Sequence, residues 1–205
     1  MLYALARCFF VPLFRILFRT RVYGVENLPK EGPVILAANH MSNWDPPFLA
    51  CFLPRPVNYM AKMELFSNPI FAAAIRSCHA FPVKRGAADR GAIKVAAQVL
   101  KEGGVLGVFP EGTRSRTGKM QKAEAGVALI ASMSHAPVVP AAILGTNRIF
   151  SGEERFPQLA VVYGKPMEFT GNRKNKEELE AFSQSILDEI FRMKEAVQEK
   201  KEIEK

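Results

Sequence analysis

Residues 33 to 47 read Pro-Val-Ile-Leu-Ala-Ala-Asn-His-Met-Ser-Asn-Trp-Asp-Pro-Pro. Val34 to Ala38 form a continuous apolar run, the pattern of a strand buried on both faces of a parallel sheet and not of a half-exposed one. The run ends in Asn39-His40, and four residues later come Asp45 and the pair Pro46-Pro47. Proline suits the first turn of a helix, so Asp45 is expected as its N-cap and Met41-Ser42-Asn43-Trp44 as a tight strand-to-helix loop. Such a loop folds Asp45 back towards His40, whereas residues five apart on an unbroken helix diverge. A carboxylate that orients one imidazole nitrogen leaves the other free to take a proton, which makes the pair a candidate base. The same spacing also fits a histidine bonded to its own loop and an aspartate that merely caps a helix.

Outward from this stretch, strand and helix patterns alternate. A first strand is expected within residues 21–26, and residues 28–32 supply the turn into the central strand. A short helix follows over 46–53, a strand over 57–61, helical turns over 62–66 and a helix over 69–77. Ile93, Ala96, Ala97 and Leu100 recur at helical spacing across 89–102, and Gly103-Gly104 ends that helix. Strands are expected over 105–109, 137–144 and 159–164, with helices over 123–134 and 177–198. His135 is expected to cap the first of those two helices. The alternation predicts an α/β fold: a single domain whose mainly parallel central sheet is flanked by helices. In such sheets the carboxyl ends of the strands collect the chemistry, and His40 and Glu111 both sit at such ends, facing one crevice.

The first 20 residues are apolar but interrupted by Arg7, Arg15 and Arg19, which share about 120° of a helical wheel. Leu2, Leu5, Phe9, Leu13 and Ile16 share a different sector, and Pro12 introduces a kink. No uninterrupted run approaches the ~20 residues that span a bilayer. Arginines within the apolar region and the lack of a small-x-small site argue against a cleaved signal peptide. The chain therefore divides into an amphipathic membrane-interface helix, residues 1–20, and a catalytic-type domain, residues 21–205. A helix packed on the protein's own core is the other arrangement this pattern fits.

The 205-residue chain carries 28 basic and 20 acidic side chains, a formal net charge of +8. Residues 176–205 carry −3, which leaves +11 on the other 175. That body suits an anionic partner: a phosphate, coenzyme A, an acidic carrier protein or a lipid surface. No helix-turn-helix, zinc-finger or RNA-binding pattern is present, so nucleic acid is not expected. Cys8, Cys51 and Cys78 are scattered without metal spacing, which predicts a reduced, cytosolic compartment. Cys78 and His79 are sequence neighbours and, on a strand, point to opposite faces, against a nucleophile–base pair. Gly145-Thr146-Asn147 is too short to count as a motif, and no metal cluster or nucleotide loop is visible.

Four segments together resemble the glycerolipid acyltransferase family, in the family's order across residues 39 to 143, with flanks from about 22 to 165. Asn39-His40-Met41-Ser42-x-x-Asp45 resembles its first motif and Phe81-Pro82-Val83-Lys84-Arg85 its second. Phe109-Pro110-Glu111-Gly112-Thr113-Arg114-Ser115 resembles the third and Val138-Val139-Pro140-Ala141-Ala142-Ile143 the fourth. The first and third are specific; the other two are weak alone. His79 stands where the family usually has glycine. The resemblance implies a base in His40 and Asp45, and an arginine, Arg85 with Lys84 beside it, that binds the acceptor's phosphate through a bidentate fork. It also implies that Glu111 and Arg114 position the acceptor and that residues 57–77 help line an acyl pocket. Gly112 and Thr113 are placed to offer backbone N–H groups to a phosphate or oxyanion. The loop 114–119 lacks apolar anchors and is expected to be mobile.

The implied reaction is acyl transfer from acyl-CoA or acyl-carrier protein to the sn-2 hydroxyl of 1-acyl-glycerol-3-phosphate (lysophosphatidic acid), giving phosphatidic acid. The donor is a substrate and no cofactor is expected. The expected location is the cytoplasmic face of the cell membrane, peripheral or monotopic. Another acceptor, such as glycerol-3-phosphate or a different lyso-lipid, fits the same motifs. A non-catalytic module that binds a membrane surface would need the cations but not a paired base.

Overall fold

A computed structural model describes residues 2–84, 89–115, 120–152 and 154–203. Arg85 and most of the loop expected to be mobile, residues 116–119, lie outside the described residues. The elements run α1 (Leu2–Leu17), β1 (Arg21–Tyr23), β2 (Val34–Ala38), α2 (Asp45–Phe52), β3 (Val57–Lys62), α3 (Pro69–Ser77) and β4 (Ala80–Val83). They continue α4 (Arg90–Lys101), β5 (Val105–Val108), α5 (Gly126–Ser134), β6 (Val138–Leu144), β7 (Ala160–Tyr163) and α6 (Lys176–Ile203). Short 3₁₀ turns cover Val25–Asn27, Met63–Phe66 and Thr146–Arg148.

The seven strands form one sheet in the order β1-β7-β6-β2-β5-β3-β4. Every neighbouring pair is parallel except β6 and β7. Among the described residues the stretch between those two strands contains a 3₁₀ turn but no crossover helix, and β7 returns antiparallel beside β6. The central strand is β2, and all five of its residues are buried. Val34, Leu36 and Ala38 face a core built with Phe14, Phe48, Phe52 and Val161. Ile35 and Ala37 face the opposite core, with Leu100, Ile130, Ile186 and Ile190. Cover on both faces is why the run is continuously apolar.

α1 packs on the first of those cores. Phe14 and Phe18 are buried and Phe10 packs beside them. The Phe14 ring meets Phe48 edge-on at 5.3 Å between centroids. Residues at i and i+4 lie on one helical face, so Phe10, Phe14 and Phe18 make a single inward ridge. The opposite sector, expected to be apolar, is apolar and exposed: Leu5 is 59%, Phe9 64% and Ile16 73% accessible. The helix is thus packed on the core by one face and bare on the other. The arginines do not all point away from the protein, as an outward cationic face would require. Arg7 donates to the Cys51 carbonyl at 3.2 Å, the Arg15 guanidinium lies 6.0 Å from the Phe52 ring, and Arg19 pairs with Glu154 at 3.4 Å. Among the described residues no helix is long and apolar enough to cross a membrane.

α3 starts at an N-cap, Asn68, whose side chain accepts from the Ile70 and Phe71 amides. It leads through His79, at φ 64°, into the edge strand β4. This left-handed backbone suits glycine, so His79 retains the turn at some strain. His79 also meets the Tyr3 ring edge-on at 5.2 Å, tying the turn to α1. His135 caps α5 as expected, at φ 52°.

Candidate active site

β6, β2 and β5 are adjacent in the sheet, and their carboxyl ends deliver Thr146, His40 and Glu111 respectively. β2 stops at Ala38, yet its pairing with β6 continues through a side chain. Asn39 is buried and donates from Nδ2 to the Ile143 carbonyl at 3.0 Å, while its Oδ1 accepts from the Ile143 amide at 2.7 Å. The amide side chain satisfies both backbone groups of the neighbouring strand, so the next residue can leave the ladder with a fixed orientation.

That residue is His40. Its amide donates to Glu111 Oε1 at 2.9 Å, and its carbonyl accepts from the Ser115 amide at 2.8 Å. The ring stacks on Phe109 with centroids 4.0 Å apart and planes 18° from parallel. Nδ1 lies 2.8 Å from Asp45 Oδ2. Asp45 is fully buried and does not cap α2, contrary to expectation: the helix begins with Asp45 itself, and Trp44 occupies the cap position without a side-chain bond. The carboxylate instead turns back on its own loop. Oδ2 also accepts from the amides of Met41 and Ser42, each at 2.7 Å, and Oδ1 accepts from the Thr146 hydroxyl at 2.5 Å. The loop amides and the hydroxyl are donors, matching the acceptor-only ionised carboxylate. With Asp45 accepting, Nδ1 carries the ring proton and Nε2 presents a lone pair. Nε2 has no hydrogen bond among the described residues.

Glu111 is buried and belongs to this frame. Its Oε1 holds the His40 amide, and its Oε2 is buried without a partner among the described residues. Burial raises the Glu111 pKa, partly opposed by the His40 amide and by Lys194 on α6. Burial lowers the Lys194 pKa, and attraction to Glu111 opposes that. Lys194 also approaches Met41 Sδ at 3.8 Å. Glu111 thus holds the main chain of the first motif through Oε1, alongside the acceptor-positioning role that the resemblance implies for it.

The backbone of the third motif also differs from expectation. The Gly112 amide donates to the Phe109 carbonyl at 2.9 Å and the Thr113 amide to the Glu111 carbonyl at 2.7 Å. Both groups close their own turn and are not open to an anion. Gly112 has φ 66°, which that turn requires and glycine adopts freely. Arg114 is exposed and donates to Asn43 Oδ1 at 2.9 Å, linking the third motif to the loop of the first. Lys84, exposed just after β4, is three strands from β2, about 14 Å across the sheet at the usual strand spacing. The sheet therefore assembles His40, Asp45, Glu111 and Arg114, and leaves Lys84 at the rim. Among the described residues no group of three or more His, Cys, Asp or Glu is arranged to hold a metal.

Comparison with known proteins bears on this arrangement. The model of the family described as Acyltransferase matches residues 19–144. The 1-acyl-sn-glycerol-3-phosphate acyltransferase of Bacillus subtilis is 35% identical over 171 residues, covering 81% of this chain and 83% of that protein. The enzyme of the same name from Streptococcus pneumoniae is 32% identical over 84% of this chain, which spans 65% of it. The crystal structure of the 1-acyl-sn-glycerophosphate acyltransferase PlsC of Thermotoga maritima superposes with a TM-score of 0.75 and 28% identity, covering 94% of this chain and 79% of that one. With the four motifs in order and the histidine–aspartate pair at the carboxyl edge of a matching sheet, the chain belongs to the acyltransferase family.

Proposed function

We propose that this acyltransferase moves a fatty acyl group from acyl-CoA or acyl-carrier protein to the sn-2 hydroxyl of 1-acyl-glycerol-3-phosphate, giving phosphatidic acid. The observation that carries the reading is the 2.8 Å contact between His40 Nδ1 and a fully buried Asp45, with Nε2 left to meet a hydroxyl. Nε2 takes the hydroxyl proton as the oxygen attacks the thioester carbonyl, and Asp45 stabilises the imidazolium that forms. Collapse of the tetrahedral intermediate expels the thiolate, which takes the proton back from His40 and leaves the ester. No acyl-enzyme is needed, because holding two substrates in register supplies much of the rate. Arg85 and Arg114 take the acceptor phosphate, and Glu111 fixes the His40 main chain. The choice of acceptor rests on the names of the relatives and on the basic body of the chain.

The protein works at the cytoplasmic face of the membrane as a peripheral or monotopic enzyme, held by the bare face of α1. α3 packs beside α1 and also exposes apolar side chains, Ile70, 82% accessible, and Phe71. Thioester release with acyl-CoA should be measured against lysophosphatidic acid, glycerol-3-phosphate and a lyso-lipid without phosphate. Release stimulated most by lysophosphatidic acid is expected. Equal or greater stimulation by either of the others would overturn the choice of acceptor.

A further inference from the structure

The fully buried Thr146 sits at the end of β6, 101 residues beyond Asp45, and its hydroxyl donates to Asp45 Oδ1 at 2.5 Å. The two oxygens of Asp45 are thereby divided. Oδ2 serves His40 and the loop amides, and Oδ1 is held by Thr146. A carboxylate bonded through one oxygen alone pivots about its Cβ–Cγ bond; one fixed at both does not. The backbone around Thr146 is built to place it. Gly145 has φ 88°, and a Cβ there would meet the Gln158 carbonyl oxygen at 2.6 Å. The chain leaves β6 through this glycine into a 3₁₀ turn, closed by the Arg148 amide on the Gly145 carbonyl at 3.0 Å. β6 and β2 are locked side by side by Asn39 on Ile143, so the donor and the aspartate are held to one frame.

We propose that Thr146 is a positioning residue for the acyl-transfer base: it fixes the plane of the Asp45 carboxylate, and through it the tautomer and tilt of the His40 ring. The proposal rests on His40 and Asp45 being that base. Thr146 is too deeply buried to touch either substrate, so its influence must pass through Asp45.

The test is a set of variants assayed by thioester release with acyl-CoA and lysophosphatidic acid. Thr146→Val keeps the shape and removes the hydroxyl; Thr146→Ser keeps the hydroxyl. Thr146→Val should lower kcat about tenfold to a hundredfold with both Michaelis constants within about threefold, since a small misplacement of a catalytic group is felt mainly in the chemical step. Thr146→Ser should remain within about threefold of the parent. In the Asp45→Asn background, adding Thr146→Val should cost less than about twofold, because the path it acts through is already broken. Thermal unfolding establishes that each variant is folded, and Thr146→Ala replaces the valine variant if the latter is not. Full activity of Thr146→Val, or an undiminished further loss in the Asp45→Asn background, would overturn the positioning role. A folded His40→Ala variant with near-normal activity would instead overturn the base on which the proposal rests.

Discussion

His40 is fixed at four points: its amide, its carbonyl, its ring face and Nδ1. A group so held spends no motion finding its orientation, and Nε2 is left as the working atom of the proposed base. His40→Ala should therefore lower kcat by roughly 10²–10⁴-fold in thioester release while the thioester still binds. Asp45→Asn should be severely impaired as well, since an amide neither stabilises the imidazolium nor accepts from all its present donors. Near-normal turnover in the folded His40→Ala protein would end the mechanism. Glu111 gives a second expectation, through pH. Burial holds its pKa above the ordinary carboxylate value, so the folded state binds the proton more tightly than the unfolded one. Stability from this group is present in full below the unfolded-state pKa and is lost as pH rises through the folded one. Glu111→Gln keeps an oxygen for the His40 amide and removes the titration. The melting temperature of Glu111→Gln minus that of the parent should grow from about pH 4 to about pH 7. A pH-independent difference would show that Lys194 cancels the cost of burial. At this scale the sequence disclosed the pair that local spacing brings together, His40 and Asp45, five residues apart. It did not disclose Asn39 on Ile143, Thr146 on Asp45 or Lys194 beside Glu111. Their partners are distant in sequence, and only the strand order β6-β2-β5 and the return of α6 bring them near.

The elements were legible wherever one residue pattern dominated. The apolar run of β2 and the helix α4, ended at Gly103-Gly104, stand where the sequence put them. The beginning of α2 was less legible, because Asp45 is equally suited to cap a helix and to turn back on its loop. The ring pair and three amide and hydroxyl bonds decide for the loop. A further feature of the strands had no sequence signal: Gly107 on β5 leaves room for the Tyr59 ring. A Cβ at Gly107 would stand 2.3 and 2.6 Å from Tyr59 ring carbons and 2.9 Å from Val57 Cγ1. The Tyr59 ring stacks at 6.3 Å on Phe109, which stacks on His40. Gly107→Ala should thus both destabilise the core and disturb the base. Overpacking of about 1–3 kcal/mol corresponds to a melting temperature lower by about 2–12 °C in a chain of this size. Turnover should fall further than acceptor or donor affinity. Gly126→Ala is the companion measurement. Nothing lies within 4 Å of a Cβ there, at the start of α5, so it should be neutral or stabilising by about 0.4–1 kcal/mol. Equal melting temperatures for the two variants would mean that Tyr59 yields freely and that the stack is not a rigid support.

At the scale of the whole molecule, the proposed membrane attachment turns on which surface would dock and by what force. The amphipathic pattern of residues 1–20 was legible in the sequence, but its orientation was not, because both sectors of α1 are rich in apolar residues. Phe10, Phe14 and Phe18 are claimed by the core, and Arg7 goes inward with them to the Cys51 carbonyl. Removing the helix would therefore strip the core of its aromatic ridge, and loss of membrane binding would then be confounded with unfolding. Point changes on the bare face separate the two. Leu5, Phe9 and Ile16 project away from the fold. Replacing all three with serine should leave thermal unfolding little changed and weaken sedimentation with anionic vesicles about a hundredfold, on roughly 1 kcal/mol of apolar insertion lost per side chain. Phe14→Ala should show the opposite pattern: a large core loss of about 3–5 kcal/mol and little change in vesicle binding while the protein remains folded. Salt supplies the other half of the test. A surface-bound cation is worth about 1 kcal/mol and is screened, whereas apolar insertion is not. Arg7 is turned inward and Arg19, just beyond the helix, already has a partner in Glu154, so few cations in this segment remain to answer anionic headgroups. Binding of the parent protein should consequently weaken only modestly from low to high salt. A triple variant that still sediments fully would move the docking surface to Ile70 and Phe71 on α3, and a steep fall with salt would give it to the basic body in place of the bare helix.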